Sequence, residues 1–205
     1  MICTTSTTNL SALYPIRSYR VRGAPAPSCT ILQAACASIA SPDKFLPVTI
    51  GKDHRKVTLI DAMAGYPNPT RELLKEAQQI FGEDAKVATM ISIGSGKKRP
   101  SNLSARDDQH TLMEAVKDAV INPEITHEEL ETRLHEAHLY FRFNVPHDLG
   151  IGVDSSEIYA HTATYLAEAD TNKRLNEVTK SIRNRSGGMT LKELSKSQIY
   201  LASPV

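Results

Sequence analysis

Apolar residues change their period several times along the chain, and each change predicts an element. Residues 1–9 gather Thr and Ser around Ile2 and Cys3, which predicts a strand running into a loop. Polar and apolar residues then alternate over 17–22 until Gly23-Ala-Pro-Ala-Pro27 stops the run. Ile31, Ala34, Ala35 and Ile39 recur at helical spacing, predicting a helix over 30–40 with Ser28 as its N-cap and Ser41-Pro42 as its stop. A short extended piece at 45–50 and a polar, hairpin-like loop at 51–56 lead into the apolar run Val57-Thr-Leu-Ile60, read as a strand.

After a turn at Asp61, Asn68 caps a helix whose first position is Pro69, where the missing N–H costs nothing. Leu73, Leu74, Ala77, Ile80 and Phe81 fall on one face, and Gly82 closes the helix. Residues 86–94 read as a buried strand by composition. Strand, helix, strand within this span predicts a βαβ unit, with parallel pairing and a right-handed crossover. Later, Leu112, Met113, Val116 and Val120 predict an amphipathic helix over 107–120. Thr126-x-x-Glu129 predicts a capping box for a helix that carries Leu130, Leu134 and Phe141. Residues 141–145 read as a strand bounded by Pro146. Residues 158–182 read as helix with a break near 170–172, and Gly187-Gly188 opens a loosely specified tail.

Composition places the chain among ordinary globular proteins: 205 residues, 40% hydrophobic, 23% charged, with no apolar run near the length of a membrane span and no secretory signal at residues 1–6. Cys3, Cys29 and Cys36 are odd in number and form no CxxC. They therefore predict buried thiols in a reducing compartment rather than a disulfide framework or zinc site. The net charge of +1 is unevenly spread: from Thr171 onward seven Lys/Arg face two Asp/Glu, against 17 and 21 in the remainder. Such a tail suits either a solvated helix face or an anionic lipid surface. Near-neutral charge and 5% aromatics argue against nucleic-acid binding.

Among chemistry-bearing patterns, Asp61 is the strongest candidate. It is delivered at the carboxyl end of a strand, where α/β proteins collect ligands and catalysis. The alternative is a turn aspartate that hydrogen-bonds its own backbone. Gly94-Ser-Gly96-Lys97 is not a phosphate loop, because Ile91 and Lys98 occupy positions where that loop needs Gly and Ser/Thr. His135 and His138 stand three residues apart rather than the four of HExxH. With His127 and Glu131 they predict a solvated polar stripe and no metal site. The serine elbow G-x-S-x-G used for acyl transfer does not occur in the chain, nor does a glycine-run oxyanion loop.

Read together, several segments resemble the carboxyl-terminal half of the patatin-like phospholipase family, especially its fungal members. Ala35-Cys-Ala-Ser-Ile-Ala-Ser-Pro42 with Phe45 and Pro47 is similar to a family helix end. Asp61-Ala-Met-Ala-Gly65-Tyr-Pro-Asn68-Pro69-Thr70 is similar to its Asp-Gly turn, and Ser92-Ile-Gly-Ser-Gly96 to its Ser-Ile-Gly-Thr-Gly strand end. Arg17-Ser-Tyr19 and Tyr140-Phe-Arg-Phe-Asn-Val-Pro146 match further landmarks in the right order.

The resemblance implies an α/β fold: a partial patatin-like domain over 1–146 with a parallel βαβ core, followed by a helical extension with a basic tail over 147–205. It implies a Ser-Asp dyad hydrolase of lipid acyl esters, in which Asp61 is the proton acceptor and no cofactor or metal is needed. The nucleophile and oxyanion segments would precede Met1, so the chain is expected to be inactive alone. Ala62 stands where the family has Gly, which would strain a turn needing positive φ by about 1–2 kcal/mol. Pro67, Cys36 and Ile39 also depart from the family pattern. The expected location is cytoplasmic, with peripheral membrane contact by the basic tail. Loss of neighbouring strands would leave an open sheet edge and exposed apolar faces, so the chain is expected to be poorly soluble or to need a partner. The second reading is a non-catalytic module that binds a lipid surface or another protein. The third is an unrelated α/β domain.

Overall fold

A computed structural model describes residues 1–21, 23, 28–42, 44–97, 108–135, 137–146, 149, 153–184 and 188–196. The predicted turn at 24–27, the helix start at Asp107, Gly187 and the tail beyond 196 lie outside these. The described chain mixes helices and strands, an α/β composition, in two compact units. One comprises Met1–Arg71 with Leu103–Glu124, the other Glu72–Asn102 with Ile125–Val205. No helix among the described residues is long and apolar enough to cross a membrane.

The first unit is built on a hairpin. β1 (Ile2–Ser6) turns back through Thr7-Thr8 into β2 (Asn9–Ile16), pairing antiparallel from Ile2↔Ile16 to Ser6↔Asn9. The loop predicted after residue 9 is therefore a strand; its turn carries no Gly or Pro to announce it. β3 (Val48–Ile50) and β4 (Val57–Asp61) form a second antiparallel pair around a 3-10 turn at Asp53–Arg55, as the polar loop predicted. The sheet order is β2-β1-β4-β3, and β1 and β4 also run antiparallel.

Over the sheet lies α1 (Ile31–Ser38). Its cap is Thr30 rather than Ser28: Thr30 and Gln33 exchange side-chain-to-backbone hydrogen bonds in a capping box. The buried face is only partly the predicted one: of Ile31, Ala34, Ala35 and Ile39, Ala34 alone is buried. Ala34 and Ala37 pack with Ile16, Ile50 and Leu59, whereas Ile31 is 90% exposed. Small side chains let the helix approach the sheet closely, and the isoleucines point outward. Also in this unit, α3 (Gln109–Val120) starts at its N-cap Asp108, whose carboxylate accepts from the Thr111 N–H and hydroxyl. That pairing, backbone contribution first, holds the Asp108 carboxyl below the usual carboxylate range. The predicted apolar stripe of α3 is real as a pattern but is not buried: Leu112, Met113, Val116 and Val120 are all exposed.

α2 (Thr70–Phe81) leads into the second unit and ends at Gly82, whose φ of 85° suits glycine. Leu74 enters the core with Ala77 against it, but Leu73, Ile80 and Phe81 stay exposed. The single strand predicted over 86–94 is two: β5 (Lys86–Val87) and β6 (Met90–Ile93). Each has a different partner. β5 pairs antiparallel with β8 (Met189–Thr190), and β6 pairs in parallel with β7 (Tyr140–Phe143).

This corrects the predicted βαβ unit. Its two strands do not pair: β4 lies between β1 and β3, and the parallel partner of β6 is β7. Sequence spacing identified strand, helix and strand correctly, but the hairpin partners took the places beside β4.

α4 (Glu124–Leu134) begins before the predicted Thr126 cap. The Asn122 side chain accepts from the Glu124 N–H instead, which leaves Thr126 inside the helix. Leu130 and Leu134 are buried with Leu74, Met90, Leu139 and Tyr140. α5 (Ser155–Ala167) and α6 (Ala169–Asn184) meet at Glu168, close to the predicted break. Val178 of α6 packs on Phe141 and Phe143, on the opposite face of β7 from Tyr140.

Of the tail expected after 187–188, residues 188–196 are instead built into the core of the second unit. β8 runs into α7 (Leu191–Lys196), and Leu191 and Leu194 are among the most buried side chains of the unit. Cys36 is exposed, and Cys3 and Cys29 are half-buried; none of the three is in a disulfide, and the thiols are not the buried ones predicted.

Candidate functional site

β4 is central to its sheet, and its last residue is Asp61. The register pairs Thr4 with Asp61, and the Thr5 hydroxyl donates to the Asp61 carbonyl at 2.9 Å. The Asp61 N–H donates to Ala40 O, just beyond α1, at 3.2 Å. Both backbone polar groups are thus fixed by neighbouring segments, and the residue is only 6% exposed. The Met63 N–H donates to Asp61 Oδ1 at 3.3 Å. This is the local turn bond that an aspartate makes two residues on, so the structural role for Asp61 is present. It also orients the carboxylate at the strand end.

The turn that follows needs no left-handed residue at Ala62. Ala62 is not among the positive-φ residues; its carbonyl accepts from the Gly65 and Tyr66 N–H groups, at 3.2 and 2.7 Å. The strain expected from Ala in place of Gly is therefore absent. Tyr66 secures the turn to β2: its hydroxyl donates to Ser11 O and accepts from the Leu13 N–H. Beyond it, buried Asn68 accepts from both the N–H and the hydroxyl of Thr70, and its amide donates to Pro123 O. The predicted cap is real, and it also ties down a distant loop.

Two further segments quoted for the resemblance meet in the second unit. Ser92 on β6 is paired with Arg142 on β7, and Arg142 Nη1 donates to the Ser92 hydroxyl at 2.8 Å, both residues being buried. The Arg142 carbonyl accepts from Arg174, whose guanidinium also lies 5.5 Å from the Phe143 ring centre. At the strand end, Asn144 Oδ1 accepts from the Gly96 N–H at 2.8 Å. A Cβ on Gly94 would stand 2.3 Å from the same oxygen. Glycine at 94 is therefore required by the Asn144 side chain, not by backbone torsion. Residues 92–96 and 140–146, about fifty positions apart, are thus one structural joint.

The polar stripe of α4 is less solvated than predicted. His127 and Arg133 side chains are mostly covered. His127 packs on the Tyr140 ring, Glu131 lies 3.9 Å from His127 Nδ1, and Arg133 pairs with Glu129 at 2.6 Å. Arg133 also donates to the Leu194 carbonyl, and burial lowers its pKa from the usual guanidinium value. No group of His, Cys, Asp or Glu able to hold a metal is found among the described residues. A cavity of about 520 Å³ is lined by Ala77, Phe81, Lys86, Thr89, Ile182 and Leu191 among others, none of them in the Asp61 turn. Sequence reasoning missed the Arg142–Ser92 pair. An arginine between two phenylalanines in a strand was the available signal, since an alternating face then becomes polar.

No protein-family model, curated protein or solved structure matches the chain.

Proposed function

We propose that the chain carries the carboxyl-terminal half of a patatin-like lipid acyl hydrolase, with Asp61 as the carboxylate partner of a serine supplied by another segment. The observation that supports this most is a buried aspartate held at a strand end by Thr5, Ala40 and Met63. A carboxylate so fixed can accept a proton from a serine hydroxyl, or orient one, without reorganising during the reaction. The joined segments at 92–96 and 140–146 lend further support, because the resemblance rests on both.

The chain has no G-x-S-x-G, so the purified protein should not hydrolyse short acyl esters. Co-expression with a polypeptide bearing a glycine-rich loop and that serine elbow should restore hydrolysis, and Asp61→Asn should remove it. Hydrolysis by the chain alone, or restored activity indifferent to Asp61→Asn, would sink the proposal.

A second reading, a non-catalytic module for a lipid surface or another protein, is favoured by the exposed stripe of α3. Deleting 171–205 would not test it cleanly, because that segment carries the core residues Val178, Leu191 and Leu194. Vesicle co-sedimentation with Val116→Asp on α3 and Lys180→Glu on α6 separates the apolar from the electrostatic contribution. Binding that is strong in the parent protein and lost in Val116→Asp supports this reading.

A further inference from the structure

We propose that the outer edge of β6 is a self-association site, through which two copies of the chain join their β6–β7 pairs into one continuous sheet. A parallel pair uses alternate residues of each strand for its ladder. The Met90 N–H donates to Leu139 O and the Gly94 N–H to Phe143 O, which sets the phase: Met90, Ser92 and Gly94 face β7. The N–H and C=O groups of Ile91 and Ile93 therefore point the other way. Among the described residues no third strand meets them.

Side chains follow the same alternation. Met90 and Ser92 are buried, whereas Ile91 is partly exposed and Ile93 is 81% exposed. Ile91 and Ile93 share a face with Phe141 and Phe143, which are covered by Tyr165, Leu175 and Val178. The covered apolar surface of β7 thus continues onto β6 as an uncovered one. An edge of this kind, β-branched and without charge or proline, is a template for another strand.

The occupant that fits without further assumption is a second β6, running antiparallel about a twofold axis at Ser92. That register sets Ile91 opposite Ile93 of the second copy, and the reverse. Residues 91 and 93 are the ones with outward main-chain groups, and directly opposed residues of a narrow antiparallel pair each give and take one hydrogen bond. Every outward amide of the strand is then satisfied. The isoleucines of both copies also meet on one face, in the cross-strand contacts that stabilise sheets. Because both copies use the same edge, the association closes at the dimer.

Sedimentation equilibrium of the 205-residue chain over a concentration series tests this. A reversible monomer–dimer equilibrium is expected, weak and concentration-dependent as suits a small interface. Ile93→Lys should raise the dissociation constant about tenfold or more while leaving the melt of the dilute protein unchanged, since the side chain is exposed. The register is tested with Cys3, Cys29 and Cys36 replaced by Ser. An Ile91→Cys chain mixed with an Ile93→Cys chain should then form a mixed disulfide on oxidation, because opposed residues of a hydrogen-bonded pair lie about 5.5 Å apart. A strictly monomeric protein, open-ended aggregation, a dimer indifferent to Ile93→Lys, or failure of the mixed disulfide each overturns the proposal. A monomer that instead captures a foreign strand counts with the first of these.

Discussion

In the β2-β1-β4-β3 sheet the informative strand is central. β4 has antiparallel neighbours on both sides, and what it offers is a side chain, the buried carboxylate of Asp61. In the β6–β7 pair the informative strand is at the edge; its polar side chain, Ser92, is already engaged by Arg142, and what it offers is backbone. The two regions also hold themselves differently. The first uses threonines as internal struts, with Thr4 bonded to the Tyr14 carbonyl and Thr5 to that of Asp61. The second is closed by large apolar residues from α2, α4 and α7. A strand with two neighbours can be precise about one side chain; a strand with one neighbour is completed only by something that binds it.

The largest expected effect tests whether the core under β4 is as necessary as its burial says. Leu59 is fully buried, so Leu59→Ala should cost about 2–5 kcal/mol, read from denaturant unfolding, with early loss of amide protection in β1 and β4. A loss below about 1 kcal/mol would mean that the sheet collapses around the cavity and that Asp61 is not rigidly held.

Next comes the joint of the second unit. Gly94→Ala should cost about 1–3 kcal/mol, because its Cβ must displace the Asn144 amide that holds the Gly96 N–H. In a double-mutant cycle with Asn144→Ala the two losses should be clearly non-additive. Additive losses would break the claim that 92–96 and 140–146 form one joint.

Smaller, but sharper for the Asp61 turn, is Ala62→Gly. With no positive φ at Ala62, restoring glycine relieves nothing and should destabilise by roughly 0.5–1 kcal/mol through chain entropy. Stabilisation would show that the turn is strained after all.

The smallest effect concerns α7. The Thr190 N–H and hydroxyl both donate to Glu193, whose own N–H donates back to Thr190. These bonds, the backbone one foremost, lower the Glu193 pKa. Ionised Glu193 therefore adds stability above the ordinary glutamate range, and that contribution is lost as pH falls through the lowered folded-state pKa. Unfolding measured across an acidic pH series should show this slope in the parent protein and a shallower one in Glu193→Gln.

Much of the architecture was legible in the sequence because it is local. Apolar period, proline, glycine and cap residues located β4, α2, α4, β7 and the α5–α6 break to within a few positions. Asp61 was legible for the same reason, as a carboxylate where an apolar run ends. The Thr7-Thr8 hairpin turn was not, since it lacks the residues that usually mark one. What only the tertiary structure decided was which strand sits beside which, and which apolar face is covered. Ile31, Phe81 and Val116 have the same periodic signature as buried residues, yet all three are exposed. Periodicity specifies that a face exists; burial depends on a second surface that arrives from elsewhere in the chain. The same non-local choice placed hairpin partners beside β4, gave β6 to β7 and, among the described residues, set no strand on the other edge of β6.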